Sequence, residues 1–190
     1  IGLSAGLDKD FDLPSVAKKI GCGFEIGGSV TAVPCEGNPK PWFRRLASEQ
    51  SIVVNVGLAN RGVAKAIEQI RSYSPRVWRD FPLSVSVAKT NSPKQVRPKQ
   101  AIADYCDSLR QLEEAGCAPL YEINISCPNA YGGEPFTTPA RLKKLLTAVD
   151  ELKLSRPVFI KMPTDKTWTQ FAKLLSIIDK HNCLLYTSPS

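Results

Sequence analysis

Short β-branched runs alternate along this chain with segments of helical period, and that alternation constrains the fold more than any other feature. From residue 83 the pattern is plain. Leu83 to Val87 precedes Ile102, Tyr105, Cys106, Leu109 and Leu112; Tyr121 to Ile125 precedes Leu142, Leu145, Leu146, Val149 and Leu152; Val158 to Lys161 precedes Trp168, Phe171, Leu174, Leu175 and Ile178. Each second set recurs every three or four residues, so each predicts a helix with one buried stripe. Upstream, Gly2 to Ala5 precedes a helix near Leu13 to Ile20, and Phe24 to Gly28 reads as a second strand. A helix over Val63, Ala66, Ile67 and Ile70 follows the apolar run Ile52 to Val54. Repeated βα units give a parallel sheet, either doubly wound or closed as a barrel.

The strand faces favour the barrel. Leu83, Val85 and Val87 alternate with Ser84 and Ser86; Ile123 and Ile125 with Glu122, Asn124 and Ser126; Val158, Ile160 and Met162 with Phe159 and Lys161. A doubly wound sheet is covered on both faces and reads as continuous apolar runs, whereas a barrel turns one face to helices and the other inward. A (β/α)₈ barrel takes about 250 residues, roughly 31 per unit. The 190 residues here, with Thr31 to Ser51 as a Pro- and Gly-rich excursion, accommodate about five units. The expectation is an α/β chain carrying the first five βα units of a TIM barrel over residues 1–182. The start at Ile1, without an initiator Met, agrees with an incomplete gene product.

Ser86, Asn124 and Lys161 share the inward face near the C-terminal ends of their strands. Burying an unpaired polar group costs about 1–3 kcal/mol, so these side chains need partners. A polar ligand at the barrel mouth would supply them; bonds among themselves or to water are the alternative. The charge of +7 is compatible with an anionic ligand, and its scatter along the chain, as in Lys40, Arg44, Arg45, Lys89, Lys94 and Arg97, argues against nucleic acid. Cys22, Cys35, Cys106, Cys117, Cys127 and Cys183 show no CxxC spacing, and His181 is the only histidine. No metal site is expected, and a reducing, cytosolic setting is favoured.

The densest chemical signal is Asn124-Ile125-Ser126-Cys127-Pro128-Asn129, running into Ala130-Tyr131-Gly132-Gly133 at a strand end, where barrel enzymes place catalytic groups. Together with Gly2-Leu3-Ser4-Ala5-Gly6-Leu7-Asp8-Lys9-Asp10, Gly28-Ser29-Val30-Thr31 and Gly37-Asn38-Pro39-Lys40-Pro41 before Phe43-Arg44-Arg45-Leu46, it resembles the dihydroorotate dehydrogenase family in order and spacing. The resemblance implies a (β/α)₈ barrel with FMN at its mouth. It also implies oxidation of dihydroorotate to orotate in pyrimidine (UMP) synthesis.

By that resemblance Cys127 is the catalytic base, removing the C5 proton while C6 gives a hydride to flavin. Lys9, Asn124 and Asn129 match substrate-binding positions. Asn55 is assigned there too, one place after Val54, where the family's asparagine falls. Ala5, Gly6, Ser29, Asn124 and Lys161 match FMN-contacting positions, as does Ser86, which stands where asparagine is common. The Asp-Lys-Asp and Gly-Asn-Pro-Lys-Pro segments resemble the quinone-linked branch, whose base is normally serine; Ala130 replaces that branch's threonine. Quinone rather than fumarate or NAD is the expected acceptor. The expected location is the cytoplasm or, through a segment preceding Ile1, the cytoplasmic membrane face.

Other readings are a dihydropyrimidine or dihydrouridine oxidoreductase, and a non-catalytic basic binding protein on a degenerate barrel. Lys9 and Asn129 favour dihydroorotate. Residues 183–190 do not match the family and read as a non-native tail, the alternative being a strand over Cys183 to Tyr186. A chain lacking strands seven and eight is expected to hold FMN poorly and to be inactive by itself.

Overall fold

The computed structural model describes residues 1–74, 77, 80–183 and 185–187. In chain order the elements are α1 (Pro14–Lys19), β1 (Glu25–Val30), β2 (Phe43–Leu46), β3 (Ser51–Val54), α2 (Val63–Ser72), β4 (Leu83–Val87), α3 (Pro98–Ala115), β5 (Tyr121–Asn124), α4 (Pro139–Asp150), β6 (Val158–Lys161), α5 (Trp168–Ile178) and β7 (Leu185–Thr187). Strands β1, β4, β5, β6 and β7 lie side by side in that order, all parallel. Each is reached through a helix, the arrangement the βα alternation predicts.

Local sequence sets the helix ends. Pro14, Pro98 and Pro139 each open a helix at its first position, where the missing N–H is not needed. Thr167 and Gln170 cap α5 reciprocally. Gly116 ends α3 at φ 59°, a left-handed conformation that glycine adopts without strain.

The outward residues of the strands form one core with the helix stripes. Leu83, Val85, Val87, Tyr121, Ile123, Val158 and Ile160 pack with Leu109, Leu112, Leu142, Leu145, Leu146 and Ile178. The stripe residue Trp168 instead lies exposed, stacked on the half-buried Phe171 at 6.1 Å between ring centroids.

Two segments differ from the sequence reading, and a third lies where that reading left a strand open as the alternative. Gly2 to Ala5 contributes only one rung: Leu3 bridges Glu25, its N–H donating to the Phe24 carbonyl and its carbonyl accepting from Ile26, both at 2.9 Å. The chain leaves the sheet at once because Gly6, at φ 118°, turns it into the Asp8–Asp10 loop. The run Ile52 to Val54 is a strand, but of an antiparallel β2–β3 hairpin outside the barrel sheet, with its three side chains exposed. At the C-terminus Leu185–Thr187 pairs with Phe159–Lys161 as a parallel strand, and Leu184 and residues 188–190 lie outside the described set.

Leu109 is fully buried at the centre of this core. Leu109→Ala is therefore expected to lower the unfolding free energy by about 2–5 kcal/mol in urea titration, with an unchanged far-ultraviolet spectrum.

Candidate active site

The C-terminal ends of β1, β4, β5 and β6 hold the polar groups that the strand alternation turns inward. Register slips between Gly28 and Val30 in β1. Gly28 sits there at φ 103°, and a Cβ would lie 2.7 Å from the Ser86 carbonyl oxygen, so only glycine fits. The next residue, Ser29, brings its hydroxyl 2.8 Å from that of Ser86, and the Asn124 amide donates to Ser29 Oγ at 2.8 Å. All three side chains are buried. Of the two ways sequence left open to satisfy Ser86 and Asn124, bonding within the protein is present.

Asn124 is held from every side. Its Oδ1 accepts from the Ser126 N–H at 2.9 Å and hydroxyl at 2.8 Å, and its backbone carbonyl accepts from Tyr105 OH at 2.7 Å. Lys161, opposite Asn124 in register, donates to the Ala5 carbonyl at 3.3 Å, and the Gly6 N–H donates to the Gly28 carbonyl at 2.9 Å. Ala5, Gly6, Ser29, Ser86, Asn124 and Lys161 are thus gathered at one end of the sheet.

Cys127 and Asn129 follow on the loop after β5. Burial pushes the Cys127 thiol up from its ordinary value, while the Asn129 backbone N–H and the ammonium groups of Lys9 and Lys89 pull it down. Lys9 is half-buried. Burial pushes its ammonium down, Cys127 and Asp10 hold it up, and Lys161 opposes it as a like charge. The Asp8–Asp10 loop therefore brings Lys9 within electrostatic reach of both Cys127 and Lys161. Its flanking acids are engaged elsewhere: Asp8 accepts from the Asp12 and Leu13 N–H groups, and Asp10 pairs with Arg61 at 3.3 Å.

Asn55 reaches the same loop through an asparagine lattice. The Asn38 amide donates to Asn55 Oδ1 at 2.8 Å and to the Asn129 carbonyl at 2.9 Å, while the Asn129 amide donates to the Val54 carbonyl at 3.1 Å. Asn91 donates to Asn38 Oδ1 and Gly57 O and accepts from the Tyr131 N–H. Asn38 and Asn91 were not assigned from sequence; only the position of Asn38 in the Gly-Asn-Pro-Lys-Pro motif hinted at the lattice. Lys89, read as one of the scattered surface charges, is instead 3% exposed. Among the described residues no carboxylate lies within ion-pair distance of Lys9, Lys89 or Lys161.

A family model described as dihydroorotate dehydrogenase matches residues 1–186. The chain belongs to the dihydroorotate dehydrogenase family. A Cyanothece protein named dihydroorotate dehydrogenase (quinone) is 33% identical over 180 residues, 94% of this chain and 46% of its own length. The Acaryochloris marina protein of the same name is 30% identical over 183 residues, 95% and 47% respectively. This chain thus spans about half the length of the curated relatives it matches. The crystal structure of the Eimeria tenella dihydroorotate dehydrogenase in complex with ferulenol superposes with a TM-score of 0.83 at 22% identity, covering 100% of this chain and 56% of that one. The fold is therefore the TIM barrel of the dihydroorotate dehydrogenases, of which the described residues supply five adjacent parallel strands and the helices that connect them.

Behind the Lys9 loop lies Glu25, fully buried, with no N–H or O–H donor to either carboxyl oxygen among the described groups. Burial, then the neighbouring Asp8, push its pKa up to about 8, so the Glu25 carboxyl is mostly protonated at neutral pH. A carboxyl raised in the folded state stabilises the fold fully below its unfolded value of about 4.3 and loses that contribution as pH rises through the folded value. Thermal stability is accordingly expected to fall from pH 5 to pH 8, and Glu25→Gln to flatten that dependence in melting curves.

Proposed function

We propose that the protein is an FMN-dependent dihydroorotate dehydrogenase, oxidising dihydroorotate to orotate in pyrimidine synthesis. The observation that carries this reading is the convergence of Cys127, Lys9, Asn124 and Lys161 at the C-terminal ends of adjacent parallel strands. Lys9, Lys89 and Lys161 lack carboxylate partners among the described residues, as a site for an anionic substrate and an anionic cofactor requires. The same feature is the test of whether the residues fit FMN, and they do: Ala5, Gly6, Ser29, Ser86, Asn124 and Lys161 would hold it. When bound, FMN supplies the hydride-accepting ring.

The remaining chemistry belongs to side chains of this chain. Cys127, as thiolate, takes the C5 proton of dihydroorotate onto sulfur. The C5–H electron pair forms the C5=C6 double bond as C6 releases hydride, giving orotate. Lys9 offers its ammonium to the substrate carboxylate, and Asn55, Asn124 and Asn129 hold its polar ring edge. Lys161 places positive charge beside the site where electrons arrive, which favours transfer in that direction. Asn38 fixes Asn55 and the Asn129 backbone relative to one another, so substrate contacts from the hairpin and the Cys127 loop are positioned jointly.

Quinone is the proposed acceptor, supported by the names of the relatives and by the Asp-Lys-Asp and Gly-Asn-Pro-Lys-Pro segments. The protein then works in the cytoplasm, peripherally attached where quinone is reached. Among the described residues no helix is long and apolar enough to cross a membrane.

Anaerobic addition of dihydroorotate to the full-length protein is expected to bleach its flavin absorbance. Cys127→Ala should slow that bleaching by about 10²–10⁴-fold, the usual contribution of a positioned base. Because burial raises the Cys127 thiol, the rate should still be climbing with pH at the ordinary thiol value of about 8.5. A flavin that dihydroorotate leaves oxidised, or bleaching indifferent to Cys127→Ala, overturns the assignment.

A further inference from the structure

Lys89 lies two residues beyond the end of β4 and is 3% exposed, an unusual place for an ammonium group. Its Nζ donates to the Tyr131 carbonyl at 2.8 Å and touches the Thr90 carbonyl at 3.5 Å. The nearby acid, Asp104, is occupied otherwise: its two oxygens accept from the Thr90 N–H at 2.7 Å and hydroxyl at 2.9 Å. The buried cation thus has carbonyl dipoles as direct partners but no directly bonded counter-charge.

Lys89 and Cys127 line one small cavity with Tyr105, Asn124, Ala130 and Gly133. At about 10 Å³ it has room for about one water molecule, so little solvent screens the two groups from each other. Tyr105 cannot serve as a competing donor, because its hydroxyl is committed to the Asn124 carbonyl.

We propose that Lys89 is a positioning residue for Cys127: its buried ammonium ties down the Tyr131 backbone of the thiol-bearing loop and acts across the cavity as the charge that favours the thiolate. This deepens the reading of Cys127 as the base and assigns a role to a lysine outside the substrate set. Three charged groups act on the thiol. Lys9 approaches from the Asp8–Asp10 loop, where the proposed function engages it with substrate. Glu134 opposes the thiolate, and Lys166 holds that carboxylate at 3.0 Å. Lys89 is the cation bonded to the backbone of the thiol-bearing loop itself, through the Tyr131 carbonyl. Cys127 and Asp104 in turn hold the ammonium of Lys89 up against the burial that pushes it down.

The test follows the alkylation of Cys127 by iodoacetamide against pH in the full-length protein, read by mass spectrometry of its peptide, with Cys106 and Cys117 as internal references. Lys89→Met is expected to raise the Cys127 midpoint by about one pH unit or more, the usual effect of removing a neighbouring opposite charge. Lys89→Arg, which keeps the charge, should recover most of that shift, and the reference cysteines should not move. An unchanged midpoint in folded Lys89→Met overturns the proposal. A second measurement leaves Lys89 in place. Coupling between two sites is reciprocal, so Cys127→Ala should lower the Lys89 midpoint seen by side-chain ¹⁵N magnetic resonance, and an unchanged midpoint is equally fatal. Neither measurement uses dihydroorotate. A protein inactive on that substrate but coupled at these two residues loses the enzymatic assignment and keeps this one.

Discussion

A single hydroxyl organises the inner end of the sheet. Ser29 Oγ meets Ser86 and accepts from Asn124, joining β1, β4 and β5 at the level where the strands end. Each of these groups would cost about 1–3 kcal/mol if buried without a partner. Together they satisfy one another, and the arrangement exists only because β1 slips in register at Gly28, where no larger residue fits. Asn124, fixed in this way, orients Ser126 and with it the start of the loop that carries Cys127 and Asn129. The geometry of the reactive loop therefore descends from a packing constraint in the sheet.

Charge is organised against that neutral platform. Lys9, Lys89 and Lys161 arrive from three different loops or strand ends, and the acids nearest to two of them are spent on other duties. Asp10 turns to Arg61, and Asp104 caps the Thr90 backbone and hydroxyl. Keeping carboxylates away from three lysines costs stability in the protein alone, and it suits a site meant for anions. Asp8 and Glu25 extend the same logic below the Lys9 loop, where a protonated carboxyl replaces a second negative charge that burial would not tolerate.

Much of this was legible in the residues. The period-two faces of Leu83–Val87, Tyr121–Asn124 and Val158–Lys161 and the helical stripes after them predict the parallel sheet that forms, because burial of a regular face is a local pattern. Asn124 and Lys161 were placed on one inward face by parity alone, and they lie in register. Parity does not reach the contacts made where the backbone is irregular. Ser29 reaches Ser86 through a register slip, Asn55 reaches the Asn129 loop through Asn38, and the Ile52–Val54 run belongs to a hairpin because its partner, Phe43–Leu46, lies just before it in the chain. Lys89 could not be told from a surface lysine, since its burial depends on Tyr131 and Asp104, distant in sequence.

The amino-acid sequence by itself determined the alternation of elements, which face of each strand is polar, and a set of motifs specific enough to indicate a family. Those are properties of residue spacing, and spacing is carried along the chain. Tertiary structure alone decided which polar groups satisfy one another, which acids are withheld from the lysines, and which lysine stands behind the thiol. Those outcomes depend on distances between segments up to 156 positions apart, as between Ala5 and Lys161, and on the loss of solvent around them. Both arise only when the sheet closes on its helices.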